Sequence, residues 1–75
     1  MSQKKIKLNA TDDVREFVRA AKKCECDVDV RYDSAIVDAK SILGVISLGL
    51  AKTVTVQCHG ECEEFFNAIS KFAVA

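Results

Sequence analysis

The segment CECDVDVRYDSAIVDAK, Cys24 to Lys40, decides the fold of this chain. Over Cys24–Tyr32 it places a cysteine, valine or tyrosine at every second position and a charged residue between them, which is the pattern of a strand with one buried face. Asp33-Ser34 has the side chains of a turn, and Ala35–Lys40 can return as a second short strand. The segment therefore predicts an antiparallel hairpin.

Two further elements precede the hairpin. Lys4–Asn9 alternates lysines with apolar residues, which predicts a half-buried strand. From Val14 onward the apolar residues recur every three or four positions, which is typical of an amphipathic helix. Asp12 and Asp13 come just before this stripe, where acidic side chains can cap a helix and complement its dipole.

Three more elements follow the hairpin. Ser41 begins a second helix with Gly49 near its end, Thr53–Cys58 alternates as a fourth strand, and ECEEFFNAISKF, residues 61–72, has the spacing of a last helix. The order is β-α-β-β-α-β-α in a single domain, residues 1–75. Because the strands alternate apolar and polar residues, we expect an α+β fold: a two-layer open-faced β-sandwich with a four-stranded antiparallel sheet covered on one face by three helices.

Composition limits the function. The chain has 75 residues, 49% of them hydrophobic and 29% charged, and its net charge is zero. A domain of this size holds one modest core, and it presents no basic field that would attract nucleic acid. Its N-terminus is charged and no apolar run is long enough to span a membrane. We therefore expect a cytoplasmic protein that has no nucleic acid or membrane partner. We further expect that it uses no cofactor and is not an enzyme.

The segment AKSILGVISLGLAK, residues 39–52, closely resembles a segment of the HPr phosphocarrier family of the bacterial sugar phosphotransferase system. The predicted order of elements is also that family's order. The resemblance implies an HPr-like fold and a place in the phosphotransferase system. Members of the family accept a phosphoryl group from Enzyme I on a histidine at the start of the first helix, and they pass it to sugar-specific proteins.

The loop that should carry this histidine departs from the family pattern. NATDDV, residues 9–14, is short and has no histidine, no glycine and no Arg-Pro pair, while Asp12 and Asp13 would repel a phosphate. His59 lies at the opposite end of the predicted sheet. Arg15 stands one turn position later than the family's arginine, so we assign it to a partner-binding surface. We predict a family member without phosphohistidine transfer, the alternative being an ordinary phosphocarrier.

Ser41 carries a second implication of the resemblance. In many Gram-positive relatives the serine at this place is phosphorylated by the ATP-dependent HPr kinase, and the product binds a transcriptional repressor. A serine that opens a helix is also an ordinary N-cap, and the two roles are compatible. The resemblance thus implies regulatory phosphorylation at Ser41, with HPr kinase and a repressor or other regulatory protein as partners.

The helix that begins at Ser41 has more apolar residues than a small core can bury. By helical position, Ile42, Leu43 and Ile46 fall on one side, and Val45 and Leu48 fall on another. The resemblance implies that the second pair faces the sheet and that the first three remain exposed for partner binding, as exposed apolar patches commonly do. Self-association through this helix is an alternative, so we expect a monomer or a weak dimer.

Four cysteines are many for a chain of this length. The expected cytoplasmic location argues against disulfides. Cys26, Cys58, His59 and Cys62 would approach one another if the strand order is that of the family, which makes them candidate metal ligands. However, C-x-C and C-x-x-x-C match no common zinc-binding spacing, and the cysteines lie on predicted apolar faces. Buried thiols without a metal are therefore the favoured interpretation.

Overall fold

A computed structural model describes residues 2–74. Within them the chain forms four strands, three α-helices and one 3-10 turn; in order these are β1 (Ser2–Lys7), α1 (Thr11–Lys23), β2 (Val28–Tyr32), β3 (Ala35–Asp38), α2 (Ile42–Ser47), β4 (Thr53–Cys58), α3 (Glu63–Ala68) and the turn (Ser70–Phe72). The predicted order of elements is confirmed. None of the helices in this range is long and apolar enough to cross a bilayer.

The strands form one antiparallel sheet in the order β1-β4-β2-β3. In its register Lys7 pairs with Thr53 at one end of the sheet, and Val28 pairs with Cys58 at the other. The end of β1 that leads to α1 and the end of β2 that leads to the hairpin turn therefore lie together. The end of β4 that carries Cys58 is at the opposite end of the sheet. This register decides which loops meet.

One apolar core lies between the sheet and the helices. The stripe predicted for α1 is buried, and its Phe17 packs against Phe65 of α3 with ring centroids 5.8 Å apart at 56°. Tilted aromatic pairs at this separation add to the stabilisation that burial provides. The strands contribute their alternating apolar residues to the same core: Ile6, Val28, Val30, Val54, Val56 and Cys58. The predicted α+β open-faced sandwich is confirmed.

Element bounds differ from the sequence prediction in the first four elements, and β3, predicted to reach Lys40, ends at Asp38. β1 begins at Ser2 and ends at Lys7, and α1 begins at Thr11, ahead of the apolar stripe. The strand predicted over Cys24–Tyr32 begins only at Val28. Its first four residues form a loop because the N–H of Cys24 donates to the carbonyl of Ala21 and closes α1. The alternation of apolar and charged residues over these four positions therefore predicted a strand wrongly.

The C-terminal segment also departs from the prediction of one continuous helix. After α3 the chain tightens into the 3-10 turn, so Phe72 is buried and Ala73 is exposed. The N–H of Val74 then donates to the carbonyl of Lys5, 3.1 Å away, and Ala73 forms a bridge with Ile6. This pairing covers the outer edge of β1 at Lys5 and Ile6, where backbone groups would otherwise be unpaired.

Candidate functional site

Ser41 is the N-cap of α2, as predicted. Its backbone is extended, and its Oγ accepts a hydrogen bond from the N–H of Gly44, 3.1 Å away. The hydroxyl satisfies one of the backbone donors that the first turn of a helix leaves without a partner. The residue is solvent-exposed, so its hydroxyl is accessible to a second protein.

The apolar residues of α2 divide as predicted. Val45 and Leu48 are buried in the core, whereas the side chains of Ile42, Leu43 and Ile46 are 38%, 81% and 37% exposed. We call Ile42, Leu43 and Ile46 the apolar patch. Since α2 has only six residues, these three side chains and the capping serine occupy one small area of surface.

The chain leaves α2 through two residues with left-handed backbone. Gly49 has φ 97°, a conformation that favours glycine, and its N–H donates to the carbonyl of Ile46. This hydrogen bond ends the helix. Ala51 has φ 59° and donates its N–H to the carbonyl of Leu8, 2.7 Å away. The end of α2 is thereby tied to the segment that enters α1.

Acidic groups occupy the start of α1. The carboxylate of Asp13 accepts hydrogen bonds from the N–H groups of Asn9 and Ala10, at 3.0 and 3.2 Å. Asp13 therefore caps the entry to the helix from its third position, and the N-cap residue itself is Ala10. Asp12 adds a second negative charge to the first turn, and Arg15 is exposed.

His59 lies just beyond the end of β4, far from the start of α1. Its Nε2 is 2.7 Å from a carboxylate oxygen of Asp29, and its backbone N–H donates to the carbonyl of Asp27. In the register of the sheet, His59 follows the residue that pairs with Ser2, whereas α1 follows Lys7. Five strand residues at roughly 3.4 Å each, about 17 Å, separate these two ends of β1. This histidine does not contribute to the start of α1.

The four cysteines converge at the same end of the sheet as His59, where β4 ends. All four Sγ atoms lie within 4.8 Å of one another. Cys58 and Cys62 are joined as a disulfide, while Cys24 and Cys26 are free and half-buried. The expectation that no disulfide forms is thus wrong in this structure, and so is the expectation of four fully buried thiols. Cys24, not His59, completes the group.

Strand pairing explains why these cysteines meet. C-x-C ends two residues before β2 begins, and C-x-x-x-C starts at the last residue of β4. Since β2 and β4 are antiparallel neighbours, the start of one and the end of the other share an edge. Sequence spacing within each pair could not show this, because the proximity depends on which strands are adjacent. Partial burial and the neighbouring Cys24 thiol raise the pKa of Cys26.

A solvent-open cleft of about 750 Å³ lies beside the cysteines, between the end of α1 and the start of α3. Its walls include Cys24, Cys26 and Cys62. The charged side chains around them are two cations and five carboxylates: Arg19, Lys23, Glu16, Glu25, Glu61, Glu63 and Glu64. Small ions therefore have access to the sulfur atoms from this side.

A four-stranded antiparallel sheet with three helices on one face defines the class of two-layer open-faced β-sandwich domains. Residues 11–74, which start at the first residue of α1, match the family described as the PTS HPr component phosphorylation site. The chain belongs to the HPr phosphocarrier family of the phosphotransferase system.

Individual relatives agree with this assignment. The phosphocarrier protein HPr of Buchnera aphidicola subsp. Schizaphis graminum is 35% identical over 74 residues, covering 92% of this chain and 87% of that protein. The crystal structure of HPr-C-His from Thermoanaerobacter tengcongensis has a TM-score of 0.80 and 29% identity, covering 95% of this chain and 89% of that one. The HPr of Bacillus anthracis str. Ames has a TM-score of 0.76 and 26% identity, covering 97% and 96%.

Proposed function

We propose that this HPr family member is a cytoplasmic regulatory protein of the phosphotransferase system that carries no phosphohistidine. It binds protein partners through the apolar patch and Ser41, and HPr kinase phosphorylates Ser41 with ATP to favour binding of a transcriptional repressor or another regulatory protein. In that step the serine oxygen takes the γ-phosphoryl group, and ADP leaves.

The chemistry at the start of α1 carries the first half of the proposal. A phosphocarrier needs an imidazole there, and it needs backbone donors and positive charge to hold the phosphoryl group. This chain has two aspartates in that turn, and the carboxylate of Asp13 already accepts the entering backbone N–H groups. A dianionic phosphate would be repelled at this place. His59 is at the opposite end of β1 and is paired with Asp29.

The exposure of α2 supports the second half. Leu43 is the most exposed large apolar residue of the described chain, and burying it at an interface would remove most of its side chain from water. Ser41, at the edge of the same patch, holds its hydroxyl at the protein surface. A phosphoryl group on this oxygen would place two negative charges beside the apolar patch, where a partner arginine can pair with them.

Intact-mass spectrometry separates this proposal from ordinary phosphocarrier activity. We expect no phosphoryl adduct after incubation with phosphoenolpyruvate and Enzyme I, with a histidine-bearing HPr as the positive control. We expect one adduct after incubation with HPr kinase and ATP, and none when Ser41→Ala is used. An Enzyme I-dependent adduct, including one that His59→Ala removes, would contradict the regulatory assignment.

A matched pair of variants tests the apolar patch. Leu43→Glu is expected to weaken binding of the phosphorylated protein to the repressor by at least about tenfold. A tenfold loss corresponds to about 1.4 kcal/mol, and burying a leucine side chain at the interface contributes more than that. Ile36→Glu is the control, since Ile36 is a 54% exposed apolar residue on β3, outside the patch. Equal losses in both variants would refute a specific role for the patch.

Self-association is the competing use of the same patch. Light scattering would then detect a dimer at micromolar concentration, and Ile46→Glu would dissociate it. Because the regulatory proposal requires the patch to be free for partners, such a dimer would contradict it.

A further inference from the structure

We propose that Cys24, Cys26, Cys58 and Cys62, in their reduced form, bind a single tetrahedral zinc ion that fixes the α1–β2 loop to the β4–α3 turn. This site is independent of the proposed regulatory function. It arises from two short chain segments that the sheet brings together, each of which supplies two thiolates.

The distances suit one ion. Zinc–sulfur bonds of about 2.3 Å in a tetrahedron place the sulfur atoms about 3.8 Å apart. The four Sγ atoms lie within 4.8 Å of one another, so the free thiols need shifts of about 1 Å, and reduction of the Cys58–Cys62 disulfide lets its two sulfur atoms separate to the same spacing. The same closeness leaves no room between the sulfur atoms for a multinuclear iron–sulfur cluster.

The backbone around the sulfur atoms is fixed independently of the metal. The N–H of His59 donates to the carbonyl of Asp27, 2.9 Å away, which joins the two cysteine-bearing segments. The thiol of Cys26 lies 3.7 Å from the carbonyl oxygen of Glu61. Gly60 leaves space for it, because a Cβ at that position would be 2.4 Å from the sulfur of Cys26. The site is therefore largely formed before an ion arrives.

Zinc also accounts for all four sulfur atoms, whereas the disulfide uses only two. With Cys58 and Cys62 oxidised, two half-buried thiols remain beside a disulfide, an arrangement that allows thiol–disulfide exchange. A dithiol reductant supplies two electrons and two protons to that bond and is itself oxidised to a disulfide. The resulting four thiols release four protons when zinc binds, which leaves a site of net charge −2.

The cleft beside the sulfur atoms attracts a divalent cation. It is lined by two cationic side chains, Arg19 and Lys23, and by five glutamates, so its net charge is negative. The cleft gives the ion a route from solvent. A bound zinc would add folding free energy to a domain whose core is small, as it does in other small zinc-binding domains.

Metal analysis tests the proposal directly. Untagged protein is purified under a dithiol reductant without chelator and measured by inductively coupled plasma mass spectrometry, and we expect one zinc per chain. Cobalt added to the reduced, metal-free protein should give the absorption of a tetrahedral tetrathiolate, which reports all four ligands without any substitution. Cys24→Ser should lower zinc affinity by more than about 100-fold, since loss of a direct ligand exceeds the effect of outer-shell changes.

His59→Ala is the matched control, because His59 lies between two of the proposed ligands in the chain but pairs with Asp29. This variant should keep its zinc. Loss of zinc in His59→Ala with retention in Cys24→Ser would overturn the ligand set. Stoichiometric iron would overturn the metal, and reduced protein that binds neither zinc nor cobalt would overturn the site.

Discussion

Removing the hydroxyl of Ser41 should lower the free energy of unfolding by the contribution of the one capping hydrogen bond that this hydroxyl accepts. The Oγ atom accepts one hydrogen bond, from the N–H of Gly44, and the side chain is otherwise exposed. N-cap serines replaced by alanine cost about 1 kcal/mol. At about 2.1 cal/mol/K per residue, the unfolding entropy of 75 residues is about 160 cal/mol/K, so Ser41→Ala should lower Tm by about 6 °C.

Two further variants make this prediction specific. Ser41→Asp keeps an acceptor at the cap, and it should unfold within about 2 °C of the parent protein. Ser47→Ala changes the same residue type in the same helix, but the Ser47 hydroxyl donates back to the Gly44 carbonyl inside the helix, so its loss should shift Tm by less than about 3 °C.

Thermal unfolding followed by circular dichroism, with reductant and zinc held constant, measures all three shifts. Equal shifts for Ser41→Ala and Ser47→Ala would refute the capping argument. A normal Tm for Ser41→Ala would do so as well, because α2 would then hold its position without the cap.

Other perturbations have expected outcomes that separate core, patch and cysteine cluster. Leu48→Ala should lower the free energy of unfolding by about 3 kcal/mol in urea titrations, because it leaves a cavity under α2. Leu43→Glu should change that free energy by less than about 0.5 kcal/mol, since Leu43 is 81% exposed; a larger loss would mean that it supports the core. Gly60→Ala should weaken zinc binding in a chelator competition, because its Cβ displaces the sulfur of Cys26, and unchanged affinity would refute that contact. The raised pKa of Cys26 means that the folded, metal-free protein with its Cys58–Cys62 disulfide intact retains a thiol proton that the unfolded chain releases. The stability of this form should therefore fall as pH rises above the ordinary value of 9.0. Cys26→Ser should remove this fall, and a fall of equal size in that variant would exclude Cys26 as its cause.

The sequence was sufficient to predict the order of elements and to separate the apolar residues of the second helix into two groups. Alternation and helical spacing report which side chains a strand or helix can bury together, and that is a local property. Val45 and Leu48 could therefore be separated from the apolar patch before any contact was known, and the resemblance of residues 39–52 to the HPr family assigned the two faces. Ser41 as an N-cap follows from its place at the start of the same pattern.

Local patterns failed where tertiary contacts override them. Cys24 and Cys26 alternate like strand residues, yet they lie in a loop because α1 closes on Cys24. The last helix has an unbroken apolar spacing, yet it tightens after Ala68 so that Phe72 fills the core and the chain end pairs with β1. In both cases the competing hydrogen bonds are made by the backbone, which the side-chain pattern does not record.

By itself the sequence determined the fold class, the family and the chemistry available at the start of α1, since these depend on residue types and their spacing. The family resemblance already implied that Cys26, Cys58 and Cys62 approach one another, and only the tertiary structure decided that Cys24 joins them. The four sulfur atoms come from segments more than thirty residues apart, and their distances depend on the pairing of β2 with β4. His59 lies between Cys58 and Cys62 in the chain, so its sequence position alone makes it a candidate ligand. In the structure its ring is paired with Asp29, and the sulfur of Cys24 lies with the other three sulfur atoms.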